Sequence, residues 1–510
     1  MRTLRTRFLV ALFGLAVAMP AARAQQQPQD QSAQPSQPSQ PVQPAQPVPA
    51  LRSPLASAAD NGDSQDSNQD SQSLSPDTRP LAGAQDISLG APSGNHSYWV
   101  PHLTLSSTFD SNPLAATNQS GWTNWTSILA GVNLYRTSEN NNLIIGYLGG
   151  GSIASNGGSG GIGNTTFQTL VVSEQFMWGR STISFFDSFN FLPEAGFGYT
   201  GGTGIPIPGG GGIGLGNGFI PDQSILTPQA QSLSNSFITQ VQTNLTPRSS
   251  LTFLGGYSEL HYFGTDLLNS GGPMFQAGYN YQITREDTVS VFYRFNAFSY
   301  SNFNQSIHNN SAQVTYARRV TGRLAFHVGA GPSFSSFQAP ISGTTGTGSG
   351  SGTVTGSTNQ TFFSLNTGLT YAVDRMTLAI SYNHGISEGS GVLAGSVANN
   401  IFGSASRQLT RTLSAGFNFG YSRNTGLSIA TVTPSFQSFN FTYAGVNLNR
   451  SWGRSSSLSL SYQLQYQDSS VPPCVGATCG TSCTGVACAT STVRHAITLG
   501  LNWQRQPIVF

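Results

Sequence analysis

The chain has very little charge and no lysine. Only 8% of its 510 residues are Asp, Glu, Lys or Arg, and all 22 basic residues are arginine. A water-soluble sheet usually exposes Lys and Glu on its outer face, so a series of soluble β modules fits poorly. The polar residues are mainly Ser, Thr, Asn, Gln and Gly, and 59 Gly stand beside 31 Phe and 17 Tyr. This composition favours one large β structure.

Long hydrophobic runs are also missing. The apolar stretch at residues 8–19 follows three arginines and precedes the small-x-small sequence of residues 22–24. This arrangement is typical of a cleavable export signal over residues 1–24. No later stretch approaches the ~20 apolar residues of a membrane helix. We therefore expect the exported chain to enter a membrane only by strands.

Residues 25–94 are rich first in Gln and Pro, then in Ser, Asp and Asn. Such a segment has too little apolar surface to offset its conformational entropy. We predict a disordered periplasmic linker here, followed by a barrel domain over residues 95–510. The linker is too short and too polar for a folded plug, and a docking or cell-wall role for it stays open. Without residues 1–24, 18 Arg face 20 acidic residues, a balance that indicates no nucleic-acid partner.

Residues 455–467, SSSLSLSYQLQYQ, alternate without a break. Leu458, Leu460 and Tyr462 share one parity, and Ser and Gln occupy the other. Successive side chains of a strand point to opposite faces, so the segment predicts a strand with one apolar face and one neutral polar face. Residues 237–245, 275–283 and 413–422 alternate in the same way. We interpret the apolar rows as facing lipid and the polar rows as lining a water-filled lumen instead of a packed core.

A short turn containing arginine recurs between alternating segments. The arginines are Arg136, Arg180, Arg248, Arg285, Arg323, Arg375, Arg411 and Arg454. Longer connections such as 192–231, 337–359 and 387–402 lie between these turns. Short periplasmic turns and longer extracellular loops are typical of barrels in the bacterial outer membrane. Eight turns and nine loops predict an all-β fold, a transmembrane antiparallel up-and-down barrel of about 18 strands, or 16 if the first pair is misassigned.

Several residues of the polar rows are candidates for a pore lining: Arg294, Asn296, Gln276, Asn280, Gln463, Gln465 and His327. An arginine facing lipid at mid-membrane costs ~2–4 kcal/mol, so we place Arg294 in the lumen. There it either biases a pore toward anions or pairs with a lumenal carboxylate. Glu174 and Asp187 fit the alternation poorly and predict a lumenal cluster, a bulge or a subunit contact.

All four cysteines, Cys474, Cys479, Cys483 and Cys488, fall in one connection before the last strand. In an exported chain this set predicts two disulfides facing outward, with three pairings open. The intervals match a four-cysteine zinc site poorly, and we predict no metal.

The six tryptophans lie near predicted strand ends: Trp99, Trp122, Trp125, Trp178, Trp452 and Trp503. Together they favour an aromatic girdle at the two membrane interfaces. Ordinary β-propensity accounts equally well for any single one of them.

The last residue, Phe510, follows the alternating AITLGLNWQ. A terminal aromatic of this kind resembles the signal that the barrel-assembly machinery reads. Ile508 and Phe510 lie on the opposite parity to Trp503, so either a bulge resets the register or the signal is imperfect. Residues 101–113, PHLTLSSTFDSNP, are similar to the first strand of porin-like barrels, including those associated with exopolysaccharide export. The resemblance covers residues 98–510 and implies a porin-like outer-membrane barrel.

These features predict a channel for passive diffusion of small hydrophilic solutes. The alternative is a structural or export-associated barrel linked to surface polysaccharide, without an open pore. The scattered histidines offer no triad, so we predict no catalytic residue, no cofactor and no enzyme. The Gly-rich residues 205–218 lack a strand-then-helix context and indicate an external loop that is able to fold into the lumen. The expected partners are outer-membrane lipid, the barrel-assembly machinery and, as an open option, further copies of the chain.

Overall fold

The structure is a computed structural model. It describes residues 97–112, 122–154, 164–192, 225–226, 231–263, 267–301, 305–342, 353–373, 375–389, 391–427, 438–470 and 491–510. The export signal, the linker and the cysteine connection lie outside the described residues, so the predictions made for them stay predictions. Among the residues described, no helix is long and apolar enough to cross a membrane.

Nineteen strands account for almost all of the described chain. They are β1 Tyr98–Asp110, β2 Thr123–Thr137, β3 Asn141–Ala154, β4 Thr165–Trp178, β5 Ser181–Leu192, β6 Ser232–Thr246, β7 Ser249–Tyr262, β8 Ser270–Gln282, β9 Asp287–Tyr300, β10 Gln305–Arg319, β11 Leu324–Ser342, β12 Thr353–Val373, β13 Met376–Ser387, β14 Ser396–Gln408, β15 Leu413–Gly426, β16 Ser438–Trp452, β17 Ser456–Ser469, β18 Ser491–Gln504 and the short β19 Ile508–Val509.

Each strand from β1 to β18 pairs antiparallel with the next, and β1 also pairs with β18. The sheet is therefore a closed up-and-down barrel of 18 wall strands, which confirms the predicted fold and decides against 16. The eight arginine-containing turns fall where the sequence predicted them, at one rim of the barrel. We call this the periplasmic rim, since outer-membrane barrels have their short turns on that side. The opposite rim is less uniform than expected, because residues 301–304 alone join β9 to β10.

Residues 455–467 form a strand with the two faces that their alternation predicts. In β17, Leu458, Leu460 and Tyr462 point outward with 40%, 44% and 41% of their surface exposed, whereas Gln465 and Gln467 point inward and are buried. Outward apolar rows recur around the whole barrel. A broad exposed apolar surface of this kind is stable only against lipid. A closed antiparallel barrel with such a surface makes the chain an outer-membrane barrel.

The inner wall is not uniformly polar. Val171, Phe186, Ile238, Leu254 and Met274 form a buried apolar band on the inner face of β4 to β8. The prediction of a neutral, hydrogen-bonding inner face is wrong here. Phenylalanine occupies both parities of β5, so alternation alone cannot separate its two faces.

The tryptophans divide unevenly between the rims. Trp178 and Trp452 are 81% and 75% exposed beside the tight turns, and Trp122 is exposed at the opposite rim. Trp125 is an exception: it points inward and is only 5% exposed. The girdle assignment was wrong for this residue, because strand position does not specify which face a side chain occupies.

The end of the chain contains the bulge that the change of parity required. His102 pairs with Gln504, but Trp99 pairs with Ile508, so the register shifts by one residue between the two pairs. Because Trp99 lies on the outward parity of β1, Ile508 and Phe510 are returned to the outer face, and Phe510 is 65% exposed. The backbone N–H of Phe510 donates to the carbonyl of Ser97 at 3.2 Å.

Candidate functional site

The predicted pore-lining residues all lie on the inward parity of their strands. They are Arg294, Asn296, Gln276, Asn280, Gln463, Gln465 and His327, carried by β8, β9, β11 and β17. Arg294 and Gln276 are direct partners across β8 and β9, but β17 lies far around the wall. Five of the seven are buried, whereas Gln463 and His327 are half-buried. The His327 ring nitrogen Nε2 is 2.8 Å from Oδ1 of Asn366.

Arg294 is held firmly against the inner wall. Its Nε donates to Oε1 of Gln276 at 3.0 Å, and its guanidinium carbon lies 5.4 Å from the centre of the Phe292 ring. The side chain is only 5% exposed. Stacking on an aromatic ring and a directed hydrogen bond fix a guanidinium in one orientation. The positive charge therefore has a defined position in the lumen.

A small polar cavity adjoins Arg294. It has a volume of about 30 Å³ and is lined mainly by neutral hydrogen-bonding side chains: Asn296, Asn309, Ser311, Gln313, Ser333, Ser364 and Asn383. Several of them bond to one another: the Ser333 hydroxyl donates to Oδ1 of Asn309 at 2.7 Å, and Nε2 of Gln313 donates to the Ser364 hydroxyl at 2.7 Å. A cavity of this size holds about two water molecules. The cavity beside Arg294 is therefore small and polar.

Two connections from the extracellular rim fold inward and meet inside the barrel. Ile225 and Leu226 belong to the β5–β6 connection, and both are fully buried. Leu226 packs against inward-facing Phe441 and Tyr443 of β16. Its backbone N–H donates to Oε1 of Gln467 at 2.6 Å, and its carbonyl accepts from Nε2 of the same side chain at 3.2 Å. The β5–β6 connection is thereby anchored on the far wall.

The second inward connection joins β13 to β14 at residues 388–395. The Tyr300 hydroxyl donates to the carbonyl of Glu388 at 2.7 Å, and Leu393 packs with Ile225. Gly391 has φ +73°, and a Cβ there would lie 2.4 Å from the Tyr262 ring. Only glycine suits both this backbone and this close approach. The loop thus reaches from the β7–β9 wall to Ile225 and spans part of the extracellular mouth.

The lumen is more accessible near β14–β17, toward the periplasmic rim. Inward-facing Ser404, Ser406 and Asn447 are exposed, and Ser461 and Gln463 are half-buried. The predicted water-filled lumen therefore holds for this side of the barrel, near β14–β17. It was wrong for the extracellular half, where side chains and the two inward connections pack together. It was also wrong along β7–β9, where inward-facing Ser250, Asn280 and Ser290 are buried close to the periplasmic turns.

Glu174 and Asp187 lie on the outer face of the barrel. Glu174 pairs with Phe185, and Asp187 pairs with Phe237, which is an exposed outward residue. The register through β3–β6 is unbroken around both acids, so a lumenal cluster and a bulge were both wrong predictions. Oε1 of Glu174 accepts a hydrogen bond from Nδ2 of Asn141 at 3.0 Å.

A buried ion pair that sequence analysis missed closes the barrel. Nη2 of Arg494 on β18 lies 2.6 Å from Oδ2 of Asp110 on β1, and the two side chains are 1% and 0% exposed. Nε of Arg494 donates to the same oxygen at 2.6 Å, and Oδ1 of Asp110 accepts from the N–H of Asn112 at 2.8 Å. Both residues occupy the polar parity of their strands, which was the available signal, but only the closure register brings them together.

Further inward hydrogen bonds follow the same seam. Thr104 donates to Asn502 at 2.9 Å, and the Thr108 and Thr498 hydroxyls lie 3.0 Å apart. No group of three or more His, Cys, Asp or Glu side chains suited to holding a metal ion occurs within the described ranges.

No protein-family model and no curated protein matches the sequence. Among solved structures, Acinetobacter baumannii OccAB1 has a TM-score of 0.40 and 10% identity, with 80% of this chain and 97% of that chain covered. Pseudomonas aeruginosa OccK2 (OpdF) has a TM-score of 0.39 and 10% identity, with 81% and 98% covered. The outer membrane protein opdK from Pseudomonas aeruginosa has a TM-score of 0.38 and 9% identity, with 80% and 98% covered. The strand count and the assignment of lipid-facing and inward-facing residues rest on the structure of this chain.

Proposed function

We propose that the protein is an outer-membrane channel for passive diffusion of small hydrophilic solutes, with its narrowest part in the extracellular half. One observation carries the proposal: 18 strands close around an inner face that is dominated by neutral hydrogen-bonding side chains. Barrels of 16–18 strands are wide enough for an aqueous passage. The inward connections at residues 225–226 and 388–395 supply a constriction, and Arg294 supplies a fixed positive charge beside it.

A structural or export-associated barrel without an open pore is the second candidate. The burial of inward side chains such as Asn280, Ser290 and Gln465 favours it, because a packed lumen conducts poorly. Single-channel recording in planar bilayers separates the two candidates. Discrete conductance steps from the purified, heat-modifiable protein support the channel, and their absence assigns the chain to the second candidate. The prediction that the protein is not an enzyme accompanies both.

Replacing Arg294 by Ser is expected to lower the anion preference of the channel with little loss of stability. The substitution removes the charge next to the cavity and keeps a polar inward side chain. Reversal potentials across a salt gradient measure the change.

Arg423→Ser is the matched control, because Arg423 is an exposed arginine on the outward parity of β15. It should leave the anion-to-cation ratio unchanged. If Arg294→Ser also leaves the ratio unchanged in a conducting protein, Arg294 is structural and the selectivity assignment is wrong.

The cysteine connection is expected to be oxidised and extracellular. It joins β17 to β18 at the rim opposite the tight turns, and exported compartments favour disulfides. Alkylation of intact cells followed by mass spectrometry should find Cys474, Cys479, Cys483 and Cys488 unmodified unless a reductant is added first. Four alkylated thiols in unreduced protein would contradict the prediction.

We propose the barrel-assembly machinery and further copies of the chain as partners in addition to lipid. The bulge before β19 sets Phe510 on the outer face, which supports its role as a signal for the barrel-assembly machinery. Glu174 and Asp187, as outward carboxylates within wall strands β4 and β5, fit the predicted subunit contact between copies of the chain. Cross-linking in outer membranes tests this contact. We expect cross-linked dimers or trimers, and fewer of them with Asp187→Leu.

A further inference from the structure

Arginine is concentrated at the periplasmic rim. Thirteen of the sixteen arginines that follow residue 95 lie in the tight turns, within three residues of them, or just beyond β18. They are Arg136, Arg180, Arg248, Arg285, Arg318, Arg319, Arg323, Arg375, Arg407, Arg411, Arg450, Arg454 and Arg505, and all except the half-buried Arg319 are exposed. The rim therefore carries a ring of guanidinium groups around the lumen.

Few described acids offset this ring. Glu139, Glu286 and Asp287 lie at the same rim, and Asp287 forms an ion pair with Arg318 at 3.6 Å. Arginine stays charged at every physiological pH. A ring of like charges around an opening creates a field that attracts anions and acidic segments.

The chain also contains an acidic segment, whose charge is opposite to that of the arginine ring. Residues 60–77, DNGDSQDSNQDSQSLSPD, hold five aspartates and no basic residue. The whole linker at residues 25–94 has seven aspartates against two arginines, whereas residues 95–510 have sixteen arginines against thirteen acids. The two parts of the mature chain thus carry opposite net charge.

The chain between the acidic segment and β1 is long enough for the segment to reach the arginine ring. β1 begins at Tyr98 on the periplasmic rim, where Tyr98 and Trp99 pair with β19. Residues 78–97 separate Asp77 from that point, and twenty residues span at most ~66–72 Å. An 18-strand barrel is about 35 Å across, so every turn of the rim is within reach. Aspartates three residues apart span ~10 Å when extended, close to the ~12 Å between neighbouring turns.

We propose that residues 60–77 dock on the arginine ring of the periplasmic rim of the same molecule. Carboxylates and guanidinium groups form bidentate, charge-assisted hydrogen bonds. Each exposed pair is weak, but several pairs on one tethered segment act together at high effective concentration. The docked segment lowers the positive field at the periplasmic mouth and holds the linker beside the opening. The contact is sensitive to salt, because every pair is exposed to solvent.

Protection from a protease that cleaves before aspartate tests the contact on the full mature chain in liposomes. Cleavage before Asp30 serves as an internal reference, since Asp30 lies in the same linker but outside the acidic segment. The rate within residues 60–77 relative to that before Asp30 should be about tenfold lower in low salt than in high salt. Suitable ionic strengths are about 0.01 M and about 1 M, where the Debye length falls from about 30 Å to about 3 Å.

A rim variant and a matched control identify the docking surface. Combining Arg180→Gln, Arg248→Gln and Arg454→Gln removes three of the thirteen rim arginines and should lower the protection. Arg423→Gln, an exposed arginine away from the periplasmic rim, should leave it unchanged. A synthetic peptide of residues 58–79 should compete and expose the segment in the unmutated protein, and a peptide with Asn in place of every Asp should not. This competition needs no variant, so the test holds even if the triple variant fails to fold.

Three results would overturn the proposal. One is equal relative cleavage in low and high salt, and another is protection that persists in a heat-modifiable triple variant and resists the acidic peptide. The third is protection that rises with protein density in the membrane, because the segment then docks on a second copy.

Discussion

Replacing Asp110 by Asn is expected to lower the free energy of unfolding of the barrel by about 3–5 kcal/mol. The substitution leaves the Arg494 guanidinium, which is 1% exposed, without its carboxylate. A buried charge that loses its partner keeps the full cost of leaving water. The pair also joins the first strand to the last, so the loss falls on the contact that closes the barrel. Denaturant unfolding in detergent micelles, followed by tryptophan fluorescence, measures the change.

Two comparisons isolate the effect of burial on the stability that this ion pair provides. Asp287→Asn also removes a carboxylate from an arginine on the neighbouring strand, but that pair is 3.6 Å apart and Arg318 is 48% exposed. It should therefore destabilise the barrel far less than Asp110→Asn does. Asp110→Asn combined with Arg494→Gln should be less destabilising than the sum of the single changes, because the double change removes both members of the buried ion pair. Equal effects of Asp110→Asn and Asp287→Asn would mean that burial does not strengthen this contact.

Much of the barrel was predictable because its constraints are local. Alternation fixes which side chains face lipid, and a turn with arginine marks one rim, so the strand count followed from residues such as Arg180 and Arg454. Arg294 was placed on the inner face for the same reason. These inferences need only the two-residue period of a strand.

Features that depend on contacts between distant strands were not predictable. Asp110 and Arg494 are 384 residues apart. No local pattern in the sequence specifies the register in which β1 pairs with β18. Alternation also fails where both parities carry similar residues. Phe185 and Phe186 face opposite sides of the wall, and Asp187 follows the outward parity although a carboxylate favours water.

The packed extracellular half was missed for a related reason. Neutral polar side chains suit a water-filled lumen, but they suit a hydrogen-bonded interior equally well once a loop fills the space. Whether Ser, Asn and Gln meet water or one another depends on where residues 225–226 and 388–395 lie. Nothing in the period of the strands specifies the path of these connections.

Replacing Leu226 by Ala is expected to raise single-channel conductance severalfold, because it loosens the anchor of the β5–β6 connection on the far wall. Leu226 is fully buried against Phe441 and Tyr443, and removing a buried leucine side chain costs about 2–5 kcal/mol. That loss acts where the connection meets β16 and β17, beside the packing of Ile225 on Phe439 and the hydrogen bonds of Gln467. When the connection leaves the wall, the extracellular half widens while the strands keep their pairing.

Leu254→Ala is the matched control for this prediction. Leu254 is also a buried, inward-facing leucine, but it lies in wall strand β7 within the apolar band. It should lower stability by a similar amount without opening the mouth. Gln467→Leu offers a second route to the same state, since it removes both hydrogen bonds to the Leu226 backbone. Higher conductance in Leu226→Ala and Gln467→Leu, with wild-type conductance in Leu254→Ala, locates the constriction at this anchor. Equal conductance in all four proteins would place the narrowest part elsewhere, at the level of Arg294.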